Sequence, residues 1–209
     1  MTISTKTIRG FQREILDHIV RTNPGLGLDR RAEYFVSLFE RYLEKPSTIL
    51  DIGGGWGFYD EPLRKRGHSP TVVDVVKPGY QKAPVMIYDG NRIPFEDKSF
   101  DASLLITVLH HCPDPEEVLR EAKRVTRNTL IVVEDIYHHA LGRSWCVLRD
   151  RIYNMEFFGH PCNFKSAQQW MEIFGRHGFR VVEKIERYTW LAGLRILNGV
   201  FILNVGNGS

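Results

Sequence analysis

The sequence predicts an α/β domain built on a central, mostly parallel sheet flanked by helices, with a helical cap at its N-terminus. Two observations carry that expectation. From Ser47 onward, short apolar runs alternate with helix-like segments, which is the pattern of βαβ units. The first of those runs, Thr48–Ile52, ends in a glycine-rich turn that leads into a helical segment. A length of 209 residues suits one domain with enough chain to surround a buried sheet.

Before the alternation begins, Ile8, Phe11, Ile15, Leu16 and Ile19 recur at helical spacing between Thr7 and Val20. Tyr34, Phe35, Leu38, Phe39 and Tyr42 do the same between Arg30 and Leu43. Asn23-Pro24-Gly25 separates the two as a turn. These helices either pack on the sheet or act as a substrate lid or membrane-facing cap. Strands are expected near Thr48–Ile52, Thr71–Val75, Val85–Tyr88, Ala102–Ile106 and Thr129–Glu134, and helices near Phe58–Arg66, Pro115–Val125 and Ser166–His177. The link Val76–Pro84, with Pro78, Gly79 and Pro84, is too short for a crossover helix and reads as a loop. Phe179–Ile185 and Val200–Val205 read as two further strands, the second placed just beyond an Asn198-Gly199 turn signal. They would complete a seven-stranded sheet whose last strand is antiparallel. The expected division is residues 1–45 for the N-terminal helices, 47–135 for a ligand-binding core, 136–165 for an insertion and 166–209 for a terminal helix and strand pair.

Composition narrows the class. With 43% hydrophobic and 25% charged residues the chain is globular, and the net charge of +3 is small. Basic residues alternate with acidic ones, as in Glu61–Arg66 and Glu116–Arg127, so nucleic acid is not a favoured partner. Cys112, Cys146 and Cys162 are odd in number and widely spaced, which speaks against a disulfide framework. Met1–Arg9 lacks the apolar core of a secretory signal, and no run approaches the roughly 18 apolar residues of a spanning helix. Cytoplasmic residence is the resulting expectation.

The strongest local signal is Ile49-Leu-Asp-Ile-Gly-Gly-Gly-Trp-Gly57. Glycine there allows positive φ and close approach of the backbone to a ligand, while the following helix offers unpaired N–H groups. A nicotinamide dinucleotide site would want G-x-G-x-x-G. Counted from Gly53, its third glycine falls on Phe58, whereas D-x-G-x-G-x-G fits from Asp51 to Gly57. In this the sequence resembles the first motif of the Rossmann-like, class I S-adenosylmethionine-dependent methyltransferases. The resemblance continues through Val72-Val-Asp-Val75, Tyr88-Asp-Gly90, Ile93–Asp101, Leu104–Pro115, Phe164–Trp170 and His177-Gly-Phe179, and is closest to the group called type 11 methyltransferases.

That resemblance implies S-adenosyl-L-methionine as cofactor and S-adenosyl-L-homocysteine as product. It places Asp51 near the methionine ammonium, with the backbone of Gly53, Gly54, Gly55 and Gly57 making room for the ligand. Asp74, 23 positions after Asp51, would accept hydrogen bonds from the ribose diol. Val75 would border the adenine, Asp89 would accept from its amino group, and Gly90 and Asn91 would add backbone contacts. Thr107 and Val108 would line the methionine end, and Phe100 and Asp101 would be structural.

Methyl transfer from a sulfonium is an in-line displacement, for which alignment and exclusion of water matter most. An O–H or N–H acceptor can still need a base. Five histidines follow strand ends or lie in the insertion: His110, His111, His138, His139 and His160. His111 is the first candidate and His110 the second, although a paired histidine after the fourth strand also suits a purely structural or cofactor-edge role. No metal site is expected, because no C-x-x-C or H-x-x-x-H spacing supports one and adjacent histidines point in different directions. The insertion Ile136–Phe164, with Tyr137, Trp145, Tyr153, Phe157, Phe158 and Phe164, would shape a pocket for a small-molecule acceptor or form a satellite core. Two other readings stand beside an active methyltransferase: a non-catalytic module that keeps the cofactor pocket, and a nicotinamide-dependent oxidoreductase.

Overall fold

The computed structural model describes residues 5–154 and 161–206, with side chains described from residue 12 to 153 and from 161 to 206. His160, Phe157 and Phe158 lie outside the described residues. The strands are β1 (Thr48–Ile52), β2 (Ser69–Asp74), β3 (Val85–Ile87), β4 (Phe100–Ile106), β5 (Thr126–Asp135), β6 (Arg180–Leu191) and β7 (Leu194–Asn204). The helices are α1 (Thr5–Thr22), α2 (Leu28–Phe39), α3 (Asp60–Arg64), α4 (Pro115–Val125), α5 (Ala140–Asn154) and α6 (Ala167–Arg176). The sheet runs β3-β2-β1-β4-β5-β7-β6, parallel except for β7, which pairs antiparallel with both β5 and β6. The expected seven-stranded α/β sheet is therefore present, with its last strand reversed. Among the described residues no helix is long and apolar enough to cross a membrane.

Alternation along the strands explains why both faces are covered. On β5, Leu130 and Val132 join one core with Leu119, Ala122 and Val125 of α4 and Trp170, Ile173 and Phe174 of α6. Their neighbours Ile131 and Val133 join the opposite core with Phe35, Val36 and Phe39 of α2 and Leu63 of α3. A parallel strand buried on both sides carries a continuous apolar run for this reason. The helices start where side chains satisfy free N–H groups. Asp114 accepts from Glu116 N at 3.0 Å and Glu117 N at 3.1 Å, with Pro115 opening α4. Ser166 and Gln169 form a capping box on α6.

Two expectations are corrected. The hairpin between β6 and β7 turns at Ala192-Gly193, both at positive φ (45° and 79°), as a two-residue primed turn requires. Asn198-Gly199 lies inside β7 instead. There Asn198 is buried and hydrogen-bonds Asp135 and Thr189, and a Cβ on Gly199 would stand 2.8 Å from the Phe201 ring. The second correction concerns 136–165, which contains a helix, α5, that the sequence reading did not place. The link between β2 and β3 is a loop, as expected.

Gly199→Ala is expected to cost about 1–2 kcal/mol through overpacking against Phe201 and Ile136. An unchanged midpoint in chemical denaturation would mean that the Phe201 ring moves aside without cost.

Candidate active site

The sheet order sets the carboxyl ends of β3, β2, β1 and β4 side by side, and every residue expected to hold the cofactor lies along that edge. After β3 the chain returns to the far side of β1 as β4, so the connections leave β1 in opposite directions and a crevice opens above it.

Asp51, one residue from the end of β1, is 1% exposed, and its Oδ2 has no hydrogen-bond partner. Burial, reinforced by Asp74 and then Asp60, pushes its carboxyl up to about 7. A Cβ on Gly54 would sit 2.4 Å from that Oδ2, so only glycine leaves the carboxylate its place. Gly55 has φ 54° and nothing within 4 Å of where its Cβ would be, which opens the backbone toward the crevice. Its N–H donates to Asp74 Oδ2 at 2.9 Å. On either flank the turn is held tightly. A Cβ on Gly53 would meet Val108 at 2.8 Å, and one on Gly57 would meet Ala83 at 2.9 Å.

Asp74 closes β2 and accepts from Val76 N through its other oxygen, at 3.0 Å. Val75 and Val76 beyond it are exposed apolar side chains. Asp89, after β3, accepts from Asn91 N at 2.9 Å and Arg92 N at 3.3 Å, and the Asn91 bonds come first among the causes that hold its carboxyl below the usual range. Gly90 turns at φ 83° with its Cβ position 3.2 Å from Val75, so the ends of β2 and β3 meet. Asp101 accepts from Thr48 N and Oγ1 and ties the start of β4 to β1, which is a structural role.

At the exit of β4, Thr107 adopts φ 55°, a conformation that costs a β-branched residue on the order of 1–3 kcal/mol. Its N–H donates to Val133 O at 2.7 Å. The next turn is held by Glu134, fully buried at the end of β5. One carboxylate oxygen accepts from Val108 N (3.0 Å) and Leu109 N (2.7 Å), and the other bonds His110 Nδ1 (2.5 Å).

His110 is buried and stacks on Phe164, with ring centroids 4.5 Å apart. Burial opposes its charge, but Glu134 and Asp150 prevail and push it up to about 10, so it is an imidazolium at neutral pH. His111 is partly exposed beside it. The two rings do not diverge: their centroids are 4.1 Å apart, and both Nε2 atoms approach Asp150 Oδ1, at 3.6 Å from His110 and 3.8 Å from His111. Both lie on the short 3-10 turn Leu109–His111 and are gathered there by Asp150. The ligand atoms of His110, His111 and Asp150 lie within 4.8 Å of one another. His138 and His139 make other contacts, His138 with Glu186 at 3.4 Å and His139 with Gly142 N at the start of α5. Cys112 donates to Val108 O, and burial pushes its thiol up to about 12.

The sequence reading missed three residues. Glu134 sits at the carboxyl end of an apolar run, the same signal that marked Asp51 and Asp74. Asp150 carried no such signal, being inside a helix that was not foreseen. Asp17 on α1 is buried and accepts from Trp56 Nε1 at 2.6 Å and Gly79 N at 2.7 Å, which fastens α1 over the glycine turn as a cap.

A strand switch floored by glycine backbone and edged by an acid from each of three successive strands is the place where Rossmann-like folds take their ligands. Residues 50–133 match the family model for a methyltransferase domain of type 11. The chain is 28% identical over 151 residues to an uncharacterised protein of Methanocaldococcus jannaschii, 71% of each chain. It is 25% identical over 202 residues to the 2-methyl-6-phytyl-1,4-hydroquinone methyltransferase 2 of Oryza sativa, covering 88% of this chain and 53% of that protein. Matched methyltransferases from Mycobacterium strains are spanned over only 34% of their length. Among solved structures, an S-adenosylmethionine-dependent methyltransferase of Thermotoga maritima superposes with TM-score 0.64 at 20% identity, over 93% of this chain and 100% of that one. Residues 50–133 thus carry the likeness to a methyltransferase domain, and the fold is that of the class I, Rossmann-like methyltransferases, a class whose cofactor is S-adenosylmethionine. The residues fit it: the unpartnered Asp51 Oδ2 suits an ammonium group, and the open side of Gly55 suits a closely approaching ligand.

The raised carboxyl of Asp51 makes a pH prediction. Between about pH 4 and about pH 7 the folded protein holds a proton that the unfolded chain has released, so stability falls as pH rises through that window and levels off above it. Asp51→Asn removes the effect. The ligand-free variant is expected to exceed the wild type by a few kcal/mol at pH 8, at most about 4, and by nothing at pH 4. Parallel stability–pH curves for the two proteins would mean that Asp51 is solvated.

Proposed function

We propose that this protein transfers the methyl group of S-adenosylmethionine to a small molecule bearing an ionisable hydroxyl, with an aromatic hydroquinone-type ring as the favoured acceptor. The observation that carries the proposal is the adjacency of two unlike compartments on one sheet edge: the Asp51–Gly55–Asp74 crevice and the His110–His111–Asp150 cluster. They are joined by the Val108 turn, which touches Gly53 on one side and is held by Glu134 on the other. The ring chemistry is supported by the rice relative, named for a methylated hydroquinone.

The assignment of roles follows the chemistry of each group. Asp51 receives the ammonium of the methionine moiety, which favours its ionised form. Asp74 accepts from the ribose hydroxyls, and Val75 with the Asp89–Asn91 turn borders the adenine. Gly53, Gly54, Gly55 and Gly57 shape the floor. Thr107 and Val108 flank the methionine end. When bound, S-adenosylmethionine supplies an electrophilic methyl group on a positively charged sulfur. His111 takes the hydroxyl proton of the acceptor on the ring nitrogen turned away from Asp150, and Asp150 orients the ring and stabilises the imidazolium that forms. His110, already charged and held by Glu134, orients the turn and does not serve as the base. The acceptor oxygen, relieved of its proton by His111, would then be the nucleophile for the methyl group that the bound cofactor supplies.

Incubation with radiolabelled S-adenosylmethionine and a panel of hydroquinones, phenols and amines is expected to label a hydroquinone or phenol. Tight binding of S-adenosylhomocysteine with no transfer to any acceptor would instead establish a non-catalytic binding module. His111→Ala is expected to lower kcat by about 10²–10⁴ with S-adenosylhomocysteine affinity unchanged, and to remove the fall in activity on the acidic side of the pH profile. Asp74→Ala is expected to weaken S-adenosylhomocysteine binding by about tenfold or more in calorimetry, since it loses hydrogen bonds to a charged acceptor. Unchanged affinity would move the ribose elsewhere.

A further inference from the structure

The turn after β4 and the inner face of α5 bring three ligating side chains to one point. His110 and His111 both direct Nε2 at the same oxygen of Asp150, at 3.6 and 3.8 Å, and the three ligand atoms lie within 4.8 Å of one another. Around a zinc ion, whose bonds to imidazole nitrogen and carboxylate oxygen are about 2.0–2.1 Å, tetrahedral ligands stand about 3.3–3.4 Å apart. Octahedral ligands at that bond length would stand about 3.0 Å apart. The cluster is nearer the tetrahedral spacing, and movements of about half an ångström or less close the gap.

The surroundings of the cluster point to a metal as well. Nδ1 of His110, the nitrogen away from Asp150, is bonded to Glu134 Oε2 at 2.5 Å, and the other oxygen of Glu134 is fixed by the N–H groups of Val108 and Leu109. A carboxylate behind a histidine holds the ring and keeps a proton on the rear nitrogen, so that the front nitrogen is left to bind an ion, which is the usual support of a metal-bound histidine. His110 and Asp150 are buried, and Phe164 stacks on His110, whereas the His111 side chain is 33% exposed. An ion here has a dry inner wall and an entry path on the His111 side. The carboxylates of Glu134 and Asp150, which hold a second proton on His110, match the double charge of an ion that takes that proton's place.

We propose that His110, His111 and Asp150 form a divalent-metal site of the zinc type, with Glu134 behind His110 and a fourth position open on the exposed side. Imidazole nitrogens with one carboxylate in a tetrahedral arrangement suit zinc. Occupation of the site regulates the reaction, and this half of the proposal rests on the methyl-transfer reading above. With Nε2 of His111 on the metal, the proton of that ring stays on the nitrogen turned away from Asp150, the one that would receive the acceptor's proton. The loaded protein keeps its donor crevice and has no free base.

The test uses the full chain, stripped of metal by a chelator and titrated with zinc chloride in calorimetry, then with cobalt chloride as a spectroscopic probe. One equivalent of zinc is expected, and cobalt is expected to give the strong visible bands of a four-coordinate ion. Glu134→Gln is expected to lower zinc affinity by about 10–100-fold, and His111→Ala, which removes a ligand outright, by at least as much. His111 is partly exposed, so the circular dichroism spectrum and S-adenosylhomocysteine binding of His111→Ala should match the wild type. In the radiolabel assay, one equivalent of zinc is expected to lower methyl transfer by about tenfold or more, with recovery on adding chelator. Wild-type protein that takes up no zinc overturns the proposal, as does zinc affinity that His111→Ala leaves unchanged. The weak bands of six-coordinate cobalt overturn the zinc-type assignment. Transfer that zinc leaves unchanged or raises overturns the regulatory half. Protein that binds one equivalent of zinc but no S-adenosylhomocysteine would count against the methyl-donor reading and leave the metal site standing.

Discussion

The reversal of connection direction at β1 is the constraint on which the rest of this molecule depends. β1 has β2 on one side and β4 on the other, and the chain reaches them by turning opposite ways, so no connection crosses above the β1–β4 boundary. Whatever polar groups stand at that boundary therefore face a space rather than a packed helix. Asp51 shows the consequence most directly: it is sealed from bulk water, yet one of its oxygens has nothing to bind. A protein gains no stability from such a group, since a desolvated carboxylate without a partner is a cost. A cationic ligand group, as proposed for the methionine ammonium, would complete it.

On the other side of the boundary the problem is opposite. The chain leaves β4 through a strained Thr107 and a tight turn, and that turn needs fixing. Glu134 fixes it by accepting from three consecutive residues, Val108, Leu109 and His110. Since the Val108 side chain also blocks any Cβ at Gly53, the strain at Thr107 is carried by contacts that define the wall between the two compartments. His110 is spent in that fixing. Enclosed between Glu134 and Asp150, it holds its proton too firmly to exchange it during a reaction near neutral pH. The same Asp150 then faces His111, which keeps an exposed edge.

How much of this could be read from the chain follows from where the information sits. Asp51, Asp74 and Asp89 each come directly after an apolar run, and a parallel strand delivers its next residue to the carboxyl edge whatever the rest of the fold does. Strand β1 and helix α4 were placed to the residue for a similar reason: an apolar run bounded by glycine, and an Asp-Pro start, are local signals. Helix α5 escaped because its pattern is inverted. Its buried face carries Cys146, Arg149 and Asp150, and its exposed face carries the large apolar side chains, so no stripe marks an inward side. The β6–β7 turn escaped because Ala192 adopts a positive φ that alanine does not advertise, while Asn198-Gly199, the familiar hairpin dipeptide, serves packing and a buried hydrogen bond inside β7.

The two halves of the site thus differ in kind. The donor half is made by backbone and by acids a residue or two from a strand end, and spacing along the chain encodes it. The acceptor half is made by side chains brought together across long sequence separations: His110 with Glu134, His111 with Asp150, and Phe164 stacked on His110. None of those pairs has a spacing rule. The family model accordingly stops at residue 133, one short of Glu134 and well before α5. The Val108 turn and the carboxylate that holds it join the two halves. On the proposed reading, acceptor choice is set at α5, which meets the histidine pair through Asp150 and turns Leu141, Trp145, Leu148 and Ile152 outward.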